Sequence, residues 1–324
     1  MKTLLNIVPV SVFVLINLPL SVQATAINIG DQAIIVHNTP VSRKQLTFAT
    51  PEQAVTQLVD ALRQNDHVRV RKILGEKAIP EEYSSDKLFN QMSYEKFLLA
   101  FDEKNSLDLL SNDRAIIIVG ALDWPLPFPL VKSGTQWHFD DVAGAREWKN
   151  RRIGSDEIAA IQVSLAYADA QREYVLMDRN SDGLLEYAQK IASTPGKHDG
   201  LYWVSGENES LSPMGQAFAD AHQSLQRRIP ADSGHAYHGY YFKILTAQGS
   251  SAPGGAFSYL SKDRMIGGFA LIAYPEKYAI TGVKSFMISH QGVVYSKDLG
   301  RRTQALMPKI VTYNPDASWT KESD

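Results

Sequence analysis

Apolar positions recur along this chain at two different periods, and the change of period divides it. From Thr50 to Leu62, Ala54, Val55, Leu58, Val59 and Leu62 fall on one face of a helix. Thr50-Pro51-Glu52-Gln53 opens that helix, with threonine as cap, proline at the first helical position and glutamine placed to complete a capping box. The helix should end near Asn65-Asp66, with a second over Val68 to Leu74 and a short third over Tyr94 to Phe101. Ala115 to Leu122 is a β-branched apolar run, and Trp137 to Phe139 follows a Ser133-Gly134 turn, so these two bracket a strand region. Ahead of them, Ala33 to His37 reads as one short strand.

Asp141 to Ile153 is polar and charged and reads as a connection between domains. A helix is then expected from Ser155 to about Met177, with Ile158, Ile161, Leu165, Ala168 and Tyr174 near one side. At about 1.5 Å per residue it would exceed 30 Å, enough to cross a small sheet. A short helix can start at Ser212 and run through Leu225. Strands are expected at Tyr240–Thr246, Met265–Tyr274, Lys284–Ser289 and Val293–Tyr295, the last two joined by a His290-Gln291-Gly292 loop. The pattern is α+β: a leader over 1–24, an α+β domain over 25–150, and a second over 151–324 in which a long helix packs on an antiparallel sheet.

Composition narrows the class. With 324 residues, 44% hydrophobic and 21% charged, the chain can bury a core without staples. The two signs are mixed and no basic block or stripe is present, which argues against nucleic acid as a partner. Residues 1–24 have the form of a secretory signal peptide: Lys2, the apolar run Leu4 to Leu20, and a small-residue cleavage site at Val22-Gln23-Ala24. Its removal takes the formal charge from -2 to -3 and leaves no segment apolar enough to span a membrane. The absence of cysteine removes disulfides, thiolate catalysis and lipid attachment together. The mature protein is expected to be periplasmic or extracellular.

The densest chemistry lies at Asp178-Arg-Asn180-Ser-Asp182-Gly183-Leu184-Leu-Glu186. Alternating oxygen side chains followed by glycine match the opening of a calcium loop, with Asp178, Asn180 and Asp182 as ligands, Leu184 through its carbonyl, and Glu186 standing in for a missing bidentate glutamate, since Gln189 holds that place. The same residues can equally stop a helix, their side chains capping backbone groups. Both readings stand; an ion here would be structural. His235 and His238 near Asp232 are flanked by glycines and read as loop histidines. Ser84-x-x-Lys87, Ser93-x-x-Lys96, Ser111-Asn112-Asp113 and Lys132-Ser133-Gly134 echo serine-lysine hydrolases, but they crowd into too short a span to build such a site. Tyr237, Tyr240, Tyr241, Phe242, Phe257 and Tyr259 form an aromatic-rich stretch that reads as half-buried strand.

The order of capped helix, second helix and antiparallel strands ending near a tryptophan resembles the cone-shaped fold of nuclear transport factor 2-like domains. The strings Asp178-x-Asn-x-Asp-Gly-x-x-Glu-Tyr-Ala188, Ser193-Thr-Pro-Gly-Lys197 with Asp199-Gly-Leu-Tyr-Trp203, His238 to Gly249, Met265 to Pro275 and Gly292 to Gly300 resemble a bacterial exported family, domain of unknown function 2950. That resemblance implies a Gram-negative envelope protein and supplies no activity. A long helix, a loop and a sheet with a late hairpin are similar to the heads of type IV pilins and type II secretion pseudopilins, some of which use a calcium-stabilised loop. The expected function is a non-catalytic binding or assembly module for another envelope protein or surface component. The alternative is an envelope enzyme or small-ligand carrier using a pocket in the N-terminal domain.

Overall fold

Thr50 caps the first helix as its sequence requires: its hydroxyl oxygen accepts the N–H of Gln53 at 3.2 Å, and Gln53 Oε1 accepts that of Ala49 at 3.1 Å. The computed structural model in which this is seen describes residues 45–78, 87–205, 211–214 and 236–322, with residues 87–93 as backbone course alone. The expected leader, the strand at Ala33–His37, most of the helix from Ser212, and Asp232 with His235 lie outside the described residues.

Helix α1 covers Pro51–Arg63 and α2 His67–Leu74, the latter capped by Asp66, whose carboxylate accepts the N–H of Arg69 at 2.9 Å. Helix α3 runs over Lys87–Glu103, well beyond the expected Tyr94–Phe101. A five-stranded antiparallel sheet follows in the spatial order β1 (Asn105–Ser111), β2 (Arg114–Val119), β4 (Leu130–Ser133), β5 (Gln136–Phe139), with β3 (Trp124–Pro125) paired to β2. Ala115, Ile117 and Val119 of β2 are buried with half-buried residues between them, the alternation of a strand with one face on a core. They join Leu58, Ile73, Phe97, Leu130, Trp137 and Phe139 in a first apolar cluster. Buried Gln45 ties helix to sheet, its Nε2 donating to the carbonyls of Ile73, Leu74 and Phe139.

Helix α4 spans Asp141–Tyr174, 34 residues or about 50 Å. The segment Asp141 to Ile153, expected as a connection, is therefore the first part of this helix, and the expected junction at residue 150 falls inside it. The physical reason is that Asp141, Glu147 and Arg151 have fixed partners, Asp141 accepting the Lys77 N–H at 3.2 Å. Asp140 caps the helix by accepting the N–H of Ala143 at 3.0 Å, and Arg151 pairs with Glu147 one turn back at 2.7 Å. Arg151 also donates to the Pro125 carbonyl at 2.6 Å and lies over the Trp124 ring. At its far end the helix stops at Tyr174, short of the expected Met177.

A second antiparallel sheet has the order β14 (Thr320–Lys321), β13 (Tyr295–Asp298), β12 (Lys284–Ser289), β11 (Ala270–Pro275), β6 (Tyr240–Leu245). Two small hairpin sheets accompany it, β7 (Ala247–Gln248) with β8 (Phe257–Ser258) and β9 (Leu260–Ser261) with β10 (Arg264–Met265). The expected strand Met265–Tyr274 is thus two strands, broken at Gly267-Gly268. Helix α4 lies against β11 and β12. Tyr167 donates to the Ala270 carbonyl at 3.2 Å, and Glu157 Oε1 accepts the N–H groups of Val283 and Lys284 at 2.9 and 3.0 Å. The second apolar cluster gathers Ala160, Tyr167, Ala168 and Tyr174 of α4 with Leu271, Phe286 and Ile288 of the sheet. The fold is α+β with antiparallel sheets, and no helix among the described residues is long and apolar enough to cross a membrane.

Three histidines leave a pH signature. His138 on β5 is 3% exposed and its Nδ1 has no hydrogen-bond partner among the described residues. Burial pushes its pKa below the ordinary value, against the opposing pull of Asp140 and Asp141, and burial lowers His238 and His290 as well. A group held neutral in the fold but free to protonate when unfolded contributes stability above its unfolded pKa, about 6.5, that is lost as pH falls toward the folded value. The melting temperature should therefore decline on acidification below about pH 6.5, and His138→Gln should flatten that decline; the check is thermal unfolding across a pH series.

Candidate functional site

The corner that follows α4 is built from short-range hydrogen bonds. Asp178 carries its carboxylate back over the turn, Oδ1 accepting the N–H groups of Asn180 and Asp182 at 3.3 Å and Oδ2 that of Gly183 at 2.7 Å. These bonds, that from Gly183 foremost, hold the Asp178 carboxyl below its ordinary pKa. Ser181 and Gly183 take left-handed φ of 60° and 84°, which suits the glycine and lets the chain reverse. Asp182 Oδ1 accepts the N–H of Leu184 at 3.0 Å, and Asn180 donates from Nδ2 to Glu186 Oε1 at 2.9 Å. The second oxygen of Asp182 is taken by the guanidinium of Arg264, which also lies 3.6 Å from Glu186 Oε1.

On the calcium reading five residues would share one ion, and on the other they stop the helix and cap backbone groups. The structure brings Asp182 and Glu186 together on Arg264, links Asn180 to Glu186, and turns Asp178 inward on backbone donors. Leu184 is exposed, and the contact it makes here is through its N–H. Among the described residues, no three acidic or histidine side chains gather closely enough to hold a metal ion. A calcium ion needs six to eight oxygens around one point. In this arrangement Asp178 faces backbone N–H groups, and Asp182 and Glu186 face Arg264.

What the corner does join is three elements. Gln171, fully buried near the end of α4, donates to the Ala188 carbonyl at 2.7 Å and accepts the Ala188 N–H at 2.9 Å, while also donating to Tyr167 at 3.0 Å. Tyr187 donates its N–H to the Met265 carbonyl at 2.8 Å, and Gln189 donates to that of Asp263 at 2.8 Å. The helix end, the loop and the β9–β10 hairpin are thereby stitched together.

The next string, Ser193 to Trp203, closes on itself. Asp199 accepts the Thr194 N–H at 2.7 Å and its hydroxyl at 2.9 Å, and receives Lys190 Nζ at 2.8 Å. Burial raises the Asp199 pKa, but those donors outweigh it and bring the group to about 2. Gly200 is required by close approach, since a Cβ there would lie 2.8 Å from the Ala192 and Ser193 backbone. Arg179 lies over the rings of both Tyr174 and Trp203, and His198 stacks on Trp203 at 4.3 Å.

His238 sits in a tight turn with φ 45°, between the mutually bonded backbones of Tyr237 and Tyr240. Lys132-Ser133-Gly134 is the end of β4 and its hairpin turn. Gln171 and Arg264 are the residues that sequence reasoning missed. A polar side chain on an amphipathic helix and an arginine in a strand give no local sign of their partners. On comparison with family models, residues 45–322 match the one described as Protein of unknown function (DUF2950). No curated protein and no solved structure matches the chain.

Proposed function

We propose that this chain, which belongs to the DUF2950 family, is an exported envelope protein that binds or assembles with another envelope component and performs no chemistry itself. The observation that carries the reading is strand β1. Among the described residues it pairs with β2 alone, so its outer edge is open. All of Asn105–Ser111 is exposed except half-buried Leu107, and Leu109 and Leu110 are 66% and 59% exposed. An open edge offers a row of backbone donors and acceptors, and exposed leucines beside it add apolar area for an incoming strand. The three helices ahead of the first sheet support the cone-like comparison, and α4 lying against β11 and β12 supports the pilin-head comparison. Both are likenesses of fold and carry little about activity.

The test is a photo-crosslinking residue placed at Leu110 in cells, with Leu176, also exposed, as control. A discrete adduct at Leu110 that is missing at Leu176 and lost on Leu109→Pro is expected. No adduct, or the same adducts at both positions, would overturn the reading. Export is read separately, from cleavage after Ala24.

A second reading rests on a cleft of ≈ 630 Å³ beside α2, lined by Gln45, Leu46, His67, Val68, Arg71, Lys72 and Glu76. Cations around exposed apolar side chains suit a small anionic amphiphile, as a carrier would hold. Retention of such a molecule by the wild type and not by Arg71→Ala would favour it.

A further inference from the structure

We infer that Arg264 is the cation of the acidic corner: it takes the role that the Asp-x-Asn-x-Asp-Gly pattern would give to calcium, and clips the β9–β10 hairpin to the end of α4 without a metal. Two observations carry this independently of the binding role proposed above. The first is the use made of the oxygens. Both oxygens of Asp178 face backbone N–H groups, one oxygen of Asp182 faces the Leu184 N–H, and the other faces Arg264. Glu186 Oε1 accepts from Asn180 and lies 3.6 Å from the same guanidinium. The arginine thus sits between the carboxylates of Asp182 and Glu186, facing the Asp182 oxygen that the Leu184 N–H leaves free.

The second is the delivery of Arg264. The β9–β10 hairpin turns through Lys262 and Asp263, with left-handed φ of 50° and 63°, and Ser261 pairs with Arg264 across it. A two-residue connection of this hand favours Asn-Gly, and two other residues hold it only where the surroundings insist. Here they do: Gln189 donates to the Asp263 carbonyl, and Met265 accepts the Tyr187 N–H. Arg264 lies between these two ties, so its guanidinium is aimed at the corner by backbone contacts on either side. A planar, permanently charged fork suits two carboxylates at different distances better than a compact ammonium.

Thermal unfolding of the mature chain tests this. The melting temperature of the wild type should be the same in millimolar calcium and in chelator. Arg264→Gln, which keeps the stem and removes the charge, should lower it by about 2–4 °C, and adding Asp182→Asn, which keeps an oxygen for the Leu184 N–H, should then lower it little further. Additive losses would show that the two side chains do not act together. A wild-type rise in calcium that Asp182→Ala removes would return the corner to a metal. Either result overturns the inference, and the calcium comparison needs no variant to fold.

Discussion

Gln171→Leu lowers the free energy of unfolding by about 2–6 kcal/mol, measured by chemical or thermal denaturation, because it strands the backbone of Ala188. Leucine fills nearly the same space, so the loss is not one of volume. Gln171 is fully buried and answers both the N–H and the carbonyl of Ala188, itself 1% exposed. Each buried polar group left without a partner costs about 1–3 kcal/mol, and two are stranded here. Tyr167 keeps its bond to the Ala270 carbonyl, so the rest of the interior should survive. Hydrogen exchange at Ala188 should accelerate with the loss of its acceptor. A change below about 1 kcal/mol would mean that water enters and replaces the amide.

Gly144→Ala is the second large effect, and its sign is diagnostic. In a solvated stretch of helix, alanine is better than glycine by about 1 kcal/mol. In this fold a Cβ at position 144 would lie 1.9 Å from Cδ1 and 2.7 Å from Cγ of Phe128, a side chain only 6% exposed. The ring cannot turn aside without opening the first apolar cluster, and such overpacking costs about 1–3 kcal/mol. The variant should therefore be destabilised, whereas a free-standing connection over Asp141 to Ile153 would gain stability. Thermal unfolding of this one substitution separates the two.

Local signals were legible and distant partners were not. Thr50-Pro51-Glu52-Gln53 announces its helix because the cap is made within four residues. Lys284–Ser289 is a strand as expected, since apolar strand-forming residues in its middle state their case without help. Strand β1 was missed because Asn105-Ser-Leu-Asp-Leu-Leu-Ser111 has no β-branched residue, carries a charge at its centre, and is exposed along its length. The start of α4 was missed for the opposite reason. Its glycine and clustered charges look like a loop until Phe128, Trp124 and Pro125 supply the groups they pack on. At the corner, the alternation of Asp178, Asn180 and Asp182 foretold a tight turn. The cation that meets two of its carboxylates comes from a hairpin far along the chain, and no spacing within the loop could have named it.

Because one uninterrupted helix packs Gly144 on Phe128 and Trp148 against the first core and contributes Tyr167 and Tyr174 to the second, neither core can melt while the other keeps its full complement of neighbours. Heat, denaturant or a pulling force applied at one end would be felt at the other along a stiff spine. For all its two-part sequence, the chain should therefore unfold in one transition, seen at the same midpoint by probes placed in either core.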